Sequence, residues 1–275
     1  MMQRKLILVL IDGLNYQTAV SKMGFMQHLT EQRLAYCYAV KTELPTLSRA
    51  LYETILTGTP PCQHGVMNNQ IVRRSREESL FELAVRKGLR TAAAAYFWIS
   101  ELYNRAPFDP VNDREQSDPN ANIQQGKFYF DDGYPDSHLL LDGEILRRKS
   151  DPDFLLIHPM GVDDTGHRYG GQSKEYCRKA LEIDVMLGTL LPGWLEAGYQ
   201  IIVTADHGMD PMGSHGGNEE WERKVPLWVL GDCFGGADFE GEIPQLALAP
   251  LVCNILNIEP GKKMIRYDFP GLKIA

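Results

Sequence analysis

The stretch KLILVLID (residues 5–12) decides the fold class. Its unbroken apolar run is typical of a strand buried on both faces, as in parallel sheets that helices cover on each side. The run covers only residues 6–11 and ends on Asp12, so it is too short to span a membrane. No small-residue cleavage pattern of a signal peptide follows it. We therefore expect a cytoplasmic protein without a membrane partner.

Strand-like and helix-like segments alternate along the rest of the chain. This alternation predicts an α/β fold with a mostly parallel central sheet and helices on both faces. A proline at position 192 predicts a break in the longest helix. The further strands are expected at 35–44, 90–97, 153–161, 199–206 and 225–231, and the helices at 15–33, 47–58, 78–88, 137–149, 173–196 and 248–258.

Residues 104–136 differ in composition from the rest of the chain. They are rich in Asp, Asn, Pro and Gly, which predicts a long loop or small cap inserted into the domain. With 275 residues and 44% hydrophobic content, the chain suits one domain, 1–275, that carries this insertion. A net charge of −8 does not favour a nucleic-acid polymer as partner. The five scattered cysteines favour a reducing compartment over a disulfide framework.

Acidic side chains follow three of the expected strands. Asp12 ends the first strand, Asp163 follows the strand at 153–161, and Asp206 ends the strand at 199–206. Ligands collect at the carboxyl ends of the strands in such sheets, so we expect these carboxylates to meet at one edge. Each of them also has an ordinary alternative role, because a carboxylate after a strand is often the N-cap of the next helix.

Histidines accompany these acids. His167 lies four residues after Asp163, His207 follows Asp206, and His215 lies in the glycine-rich stretch GSHGG. Carboxylate and imidazole ligands together suit zinc, and also manganese or iron. Two adjacent metals are an established device for phosphoryl chemistry. The joint pattern therefore predicts two divalent ions, Zn²⁺ or Mn²⁺, held by six of these side chains: Asp12, Asp163, His167, Asp206, His207 and His215, with Asp164 to spare.

Two hydroxyls lie where a nucleophile is needed. Thr46 and Ser48 stand at the expected junction between the strand at 35–44 and the helix at 47–58. Backbone N–H groups at a helix start favour an anion, and a metal-activated hydroxyl is a usable nucleophile near neutral pH. Either hydroxyl would also serve as a helix N-cap. The residues alone leave the choice between them open.

The chain resembles the alkaline phosphatase superfamily, and within it the nucleotide pyrophosphatase/phosphodiesterase (type I phosphodiesterase) family. The resemblance implies an alkaline-phosphatase-like fold with two metal sites. The matching motifs, in the family's order, are LVLIDGL (8–14), LPTLSRALYETILTGTPPCQHGV (44–66), GVDDTGHRYG (161–170), TADHGM (204–209) and GSHGG (213–217).

Carried over to this sequence, the resemblance implies a role for each candidate. One metal would be held by Asp12, Asp206 and His207, and the other by Asp163, His167 and His215. Counting back from LTG at 56–58, the nucleophile falls on Ser48 rather than Thr46, and Ser48 would also bind the first metal. His64 matches a family loop position and is interpreted as structural.

The sequence departs from the family at Leu51. The phosphodiesterase branch usually has an asparagine there, which helps bind a phosphate oxygen. Candidate replacements, and candidates for stacking a base or aryl group, form a predicted substrate-binding set: Arg49, Asn68, Asn69, Tyr52 and Trp98. Packing in the core is an equally good interpretation of the aromatic members.

The resemblance implies a metal-dependent hydrolase of phosphoric ester bonds. The leading hypothesis is a phosphodiesterase or nucleotide pyrophosphatase that forms a covalent phospho-Ser48 intermediate on a small-molecule substrate such as a nucleotide. A phosphomonoesterase, a phosphonate hydrolase or a phosphomutase would use the same metals. A non-catalytic metal-binding module predicts a lost ligand or nucleophile, and this sequence retains the full set.

Overall fold

A computed structural model describes residues 3–236 and 239–273. Its strands are β1 (Lys5–Ile11), β2 (Ala35–Lys41), β3 (Thr91–Tyr96), β4 (Glu115–Ser117), β5 (Gln125–Tyr129), β6 (Phe154–Ile157), β7 (Tyr199–Ala205), β8 (Lys224–Leu230) and β9 (Glu242–Pro244). Its helices are α1 (Tyr16–Lys22), α2 (Gly24–Glu31), α3 (Ser48–Thr57), α4 (Pro61–His64), α5 (Leu80–Arg86), α6 (Phe97–Tyr103), α7 (Asp136–Ser150), α8 (Gly161–Tyr169), α9 (Lys174–Glu196), α10 (Glu220–Arg223) and α11 (Leu248–Leu256), with a 3₁₀ turn at Gln245–Ala247.

The strands form one sheet in the order β4-β5-β3-β6-β1-β7-β8-β2-β9. The five neighbours from β5 to β7 run parallel. On either side of these five, β4 and β8 run antiparallel to the strands beside them, and the last strand, β9, runs parallel to β2. Consecutive residues of β1 point to opposite faces of the sheet, yet residues 6–11 are all at most 2% exposed. Helices therefore cover both faces, and the predicted α/β fold with a mostly parallel sheet is confirmed.

Three segments differ in detail from the sequence-based expectation. The helix expected at 15–33 is two helices, α1 and α2, separated at Met23. The break expected at Pro192 is wrong, because α9 runs through it. Pro192 lies on the exposed side of the helix, where solvent can take the carbonyl that its missing N–H leaves free. Residues 104–136 are largely loop, but they also extend the central sheet, since β5 pairs with β3.

The order of the strands positions the candidate site. The neighbours β6, β1 and β7 end side by side, and each is followed directly by a segment that carries predicted ligands. Helix α8 begins four residues after β6 ends, and Asp12 and Asp206 come directly after β1 and β7. Among the described residues, no helix has both the length and the apolar character that crossing a bilayer requires.

Candidate metal centre

Three carboxylates converge at the carboxyl edge of β6, β1 and β7. Asp12 and Asp206 are fully buried, and Asp163, in the first turn of α8, is 7% exposed. Within the described part of the chain, each has one oxygen atom without a hydrogen-bond partner: Oδ1 of Asp12, Oδ1 of Asp163 and Oδ2 of Asp206. Buried charges are costly unless they are paired or coordinate a metal. These orphaned oxygens therefore fit a divalent cation.

The electrostatics of Asp163 and Asp206 lead to the same conclusion, whereas His158 and His207 outweigh the effect of burial at Asp12 and lower its pKa. Burial, together with the negative charges of Asp12 and Asp163, raises the pKa of Asp206 well above its ordinary range. Burial and the charge of Asp12 likewise raise the pKa of Asp163. The ionised forms of these carboxyls are thus disfavoured by their surroundings as long as no positive charge lies between them.

The six predicted ligands lie in two groups of three. The first group is Asp12, Asp206 and His207, and the second group is Asp163, His167 and His215; within each group the potential ligand atoms lie within 4.8 Å of one another. This grouping is the one that the family resemblance implies. The rings of His207 and His215 stack with their centroids 3.8 Å apart, so the two groups are adjacent.

The histidine rings are oriented by backbone carbonyls. In each ring Nδ1 faces a carbonyl oxygen at hydrogen-bond distance, and this contact assigns the proton to Nδ1 and leaves Nε2 as an acceptor. Two such nitrogens, Nε2 of His167 and Nε2 of His215, lie 3.1 Å apart, which suits a cation between them. The carbonyl contacts are His167 to Gly213 at 2.9 Å, His207 to Gly208 at 2.9 Å and His215 to Thr46 at 2.7 Å.

Ser48 and Thr46 have different surroundings. Ser48 is the first residue of α3, and its Oγ lies 3.0 Å from Nε2 of His207. Thr46 uses its hydroxyl for the loop that carries His215: it donates to the carbonyl of Gly217 at 3.0 Å and accepts from the N–H of Gly216 at 2.8 Å. Of these two hydroxyls, that of Ser48 is therefore the one that contacts the first group.

Two members of the predicted substrate-binding set lie beneath the surface. Arg49 is 1% exposed, and its guanidinium pairs with Glu101 at 2.7 Å and lies 4.5 Å from the ring centroid of Trp98. Tyr52 is fully buried, and its hydroxyl donates to Oδ2 of Asp12. We therefore place Arg49 and Tyr52 behind the site rather than against the substrate, because neither side chain reaches an open surface.

The other three members are partly or fully exposed. Oδ1 of Asn69 accepts from the backbone N–H of Arg49 at 3.1 Å, so this amide lies beside the start of α3. Asn68 is exposed and caps the N–H of Gln70 at 3.0 Å instead. Trp98 is partly exposed on α6, above the Arg49 guanidinium.

The remaining candidates lie outside both groups. Asp164 pairs with Arg168 at 2.8 Å, so it is not a seventh ligand in this arrangement. His64 is buried on α4, where its Nδ1 accepts from the N–H of Val66 at 3.1 Å and its Nε2 lies 3.1 Å from Oγ1 of Thr54. These contacts suit the structural interpretation of His64.

Sequence reasoning missed His158. This histidine follows β6 directly, is fully buried, and has Nε2 3.3 Å from Oδ2 of Asp12. Its position at the carboxyl end of a central strand is the same signal that identified Asp12 and Asp206. A lone histidine after an apolar run is weak on its own, and its partner Asp12 lies on a different strand.

Comparison with known proteins identifies related proteins by sequence and by fold. A sequence model of the family described as type I phosphodiesterase / nucleotide pyrophosphatase matches residues 6–227. One similar solved structure is murine ectonucleotide pyrophosphatase/phosphodiesterase 5, an inactive variant in complex with AMP, with TM-score 0.74 and 13% identity over 94% of this chain and 96% of that one. The human counterpart has TM-score 0.74 and 14% identity over 93% and 96%.

The curated relatives have a different described activity. GPI ethanolamine phosphate transferase 2 of Candida glabrata is 23% identical over 83% of this chain and 28% of its own length. The catalytic subunit of GPI ethanolamine phosphate transferase 3 of Mus musculus is 23% identical over 92% of this chain and 24% of its own length. The chain thus spans about a quarter of the length of these relatives.

Proposed function

Because the chain belongs to the type I phosphodiesterase/nucleotide pyrophosphatase family, we propose that it hydrolyses small phosphoric diesters through a covalent phosphoryl intermediate on Ser48. Family and fold support a phosphoester hydrolase or transferase. One observation carries the finer proposal: the Ser48 hydroxyl lies 3.0 Å from His207, beside buried carboxylates whose oxygens lack partners among the described residues.

Each group has a distinct role in this proposal. The first group would hold one divalent ion beside Ser48, and the second group would hold the other; we favour Zn²⁺, with Mn²⁺ as the alternative. When bound, such ions acidify a nearby hydroxyl and neutralise charge on phosphoryl oxygens. The histidine Nε2 atoms and the orphaned carboxylate oxygens are the donors that the chain offers for this purpose.

The start of α3 orients the reaction. Ser48 is the first residue of this helix, and the N-cap position is Leu47, whose side chain offers no acceptor to the first turn. The positive end of the helix dipole therefore faces the reacting phosphoryl group. The Ser48 hydroxyl loses its proton to solvent and its oxygen attacks phosphorus, the P–O bond to the leaving group breaks in line, and the leaving oxygen takes a proton from solvent. A water then attacks phosphorus from the side that the leaving group has left, opposite Ser48. This water loses a proton, the bond between phosphorus and the Ser48 oxygen breaks, and that oxygen regains a proton.

The charges around the site favour a diester over a monoester. A monoester carries more negative charge and calls for additional cations beyond the two ions. The arginines closest to the motifs are already paired, Arg49 with Glu101 at 2.7 Å and Arg168 with Asp164 at 2.8 Å. A diester of a nucleotide fits this site, because AMP, the ligand of the inactive murine relative, is a monoester that hydrolysis of such a diester releases, and because Trp98 offers a partly exposed ring.

Phosphoryl transfer is a second candidate, favoured by the names of the curated relatives. The His167 side chain is 47% exposed, so the second group opens toward solvent and toward any acceptor that arrives from there. An alcohol could replace water in the second step without a change in the first. Adding a series of small alcohols during turnover separates the two cases: a transferase yields the phosphodiester of the alcohol as its main product, and a hydrolase yields the monoester.

The experiment that tests the proposed function combines elemental analysis with parallel kinetics. The substrates are bis-p-nitrophenyl phosphate, p-nitrophenyl phosphate and a p-nitrophenyl phosphonate ester, each with and without prior chelation. We expect two divalent ions per chain, the highest kcat/KM on the diester, and loss of activity after chelation. Preference for the monoester or the phosphonate would favour those enzyme classes, and bound metal without turnover would favour a binding module.

A further inference from the structure

The two oxygens of Asp12 have different surroundings. Oδ2 accepts the hydroxyl of Tyr52 and lies 3.3 Å from Nε2 of His158. Oδ1 has no hydrogen-bond partner among the described residues, and Nε2 of His207 lies 3.4 Å from it. The Tyr52 hydroxyl and the His158 ring thus both lie beside Oδ2, and Oδ1 lies on the side of His207.

The hydrogen on His158 is placed by the backbone. The N–H of Tyr96 lies 3.5 Å from Nδ1 of His158 and points to it as a donor, so a ring with a single N–H carries it on Nε2, which lies 3.3 Å from Oδ2 of Asp12 and has no hydrogen-bond partner among the described residues. The hydroxyl of Tyr129 donates to the carbonyl of His158 at 2.8 Å, and the ring of Tyr52 meets the His158 ring edge to face at 4.7 Å. These contacts fix the orientation of the imidazole.

Tyr52 also links Asp12 to the nucleophile. It lies four residues after Ser48 on α3, and residues at this spacing lie on the same face of a helix. On that face Ser48 contacts His207, and one turn later Tyr52 contacts Asp12. The helix that carries the nucleophile is therefore attached to the first group at two successive turns.

We propose that Tyr52 and His158 are positioning residues that hold Asp12 as a metal ligand through Oδ1 alone, and that Tyr52 in addition fixes Ser48 relative to that metal. A hydrogen-bonded carboxylate keeps one orientation, which lowers the cost of ordering the site when the ion binds. The inference rests on the proposed function, because it requires a divalent ion at the first group.

The test uses two variants and a matched control. Tyr52→Phe removes the hydroxyl that contacts Asp12, and His158→Gln replaces the second neighbour of Oδ2. Tyr103→Phe removes the hydroxyl of another tyrosine that is buried, 1% exposed, and whose oxygen has no partner in the described residues. Zn²⁺ affinity of the metal-free full chain is measured by competition with a chromogenic chelator, together with melting of the metal-free protein.

We expect Tyr52→Phe and His158→Gln to bind one of two Zn²⁺ ions about 10-fold or more weakly, as loss of a partner behind a ligand does elsewhere. The other ion should keep its affinity, and Tyr103→Phe should match the parent for both. In Tyr52→Phe, kcat should fall at saturating Zn²⁺ while KM changes little, because Ser48 is no longer held at a fixed distance from the metal of the first group.

Three results would overturn the inference, and they are distinguishable. If the parent binds two ions and cleaves diesters while both variants bind Zn²⁺ as tightly as it does, Tyr52 and His158 are packing residues and the proposed function stands. If the parent binds no divalent ion, both the inference and the proposed function fail. Equal weakening in Tyr103→Phe counts against the inference as well.

Discussion

Ser48 and His207 are 159 positions apart in the sequence and meet at 3.0 Å, Oγ to Nε2. Nδ1 of His207 faces the carbonyl of Gly208 at 2.9 Å, so the histidine accepts and the serine donates. This contact brings the start of α3 to the loop after β7. It is the point where the candidate nucleophile and the first group meet.

Replacing Ser48 with alanine should separate chemistry from metal binding. We expect kcat/KM on a diester to fall at least about 1,000-fold, because the covalent route is removed, while two ions per chain remain bound. Steady-state kinetics and elemental analysis on the same preparation check both parts. Thr46→Val is the matched variant. The Thr46 hydroxyl holds the loop that carries His215, so its loss should weaken the binding of one ion and leave more turnover than Ser48→Ala does. Full activity in Ser48→Ala would exclude Ser48 as the nucleophile.

Removing His215 should cost one ion rather than two. Its Nε2 lies 3.6 Å from Oδ1 of Asp163, and the first group does not depend on it for a ligand. Elemental analysis of His215→Ala should therefore give about one ion per chain against two in the parent. His138→Ala, at an exposed position on α7 that belongs to neither group, should keep two. Retention of both ions in His215→Ala contradicts the assignment of the second group.

Substitution of Asn69 should lower kcat/KM more than substitution of Asn68. The Asn69 oxygen is held by the N–H of Arg49, which leaves its NH₂ group as a donor for a phosphoryl oxygen beside Ser48. Leu51, where the family usually has asparagine, is fully buried and supplies no donor. Asn69→Ala should lower kcat/KM about 10-fold or more, and Asn68→Ala should stay within about twofold of the parent. Equal effects of the two exchanges would remove Asn69 from the site.

The burial of the Glu53 carboxyl group predicts that the stability of the protein depends on pH. It is fully buried, Ser75 donates to its Oε1 at 2.8 Å, and Oε2 has no partner in the described part of the chain. Burial raises the pKa of Glu53 from 4.5 to about 7. Between these values the folded state binds more protons than the unfolded chain, so this residue's contribution to stability is lost as pH rises from about 4.5 to about 7.

Glu53→Gln should remove that loss. The free energy of unfolding of the variant, minus that of the parent, should therefore grow by on the order of 1–3 kcal/mol as pH rises from about 5 to about 8. Urea unfolding at several pH values measures this difference. Burial lowers the pKa of the neighbouring His64 to about 4, and its opposite pH dependence is common to both proteins. A constant offset between the two proteins at every pH contradicts the prediction.

The sequence predicts much of the site because the ends of buried strands can be located from it. Asp12 and Asp206 each terminate an apolar run, and the rule that ligands collect at the carboxyl edge is enough to bring them together. The parallel order of β6, β1 and β7 then makes those ends neighbours. The grouping of the six ligands came from the family resemblance, since spacing alone leaves the partition open.

The sequence does not show which distant residues pair with a polar side chain and so allow it to be buried. Arg49 and Tyr52 are suitable residues to contact a substrate, but Glu101 lies 52 positions from Arg49, and Asp12 lies 40 positions from Tyr52. No local pattern indicates either pairing. The course of α9 through Pro192 was likewise unpredictable, because it depends on which side of the helix faces solvent.

The most direct test of the central claim is the mass of the enzyme during turnover. The full chain is mixed with bis-p-nitrophenyl phosphate in the presence of Zn²⁺, quenched with acid within the first turnover, and analysed intact and after proteolysis. The account predicts a p-nitrophenyl phosphoryl adduct on Ser48, which is absent from Ser48→Ala and from chelated protein. Turnover of the diester with no adduct on the chain, or with the adduct on another residue, would contradict it.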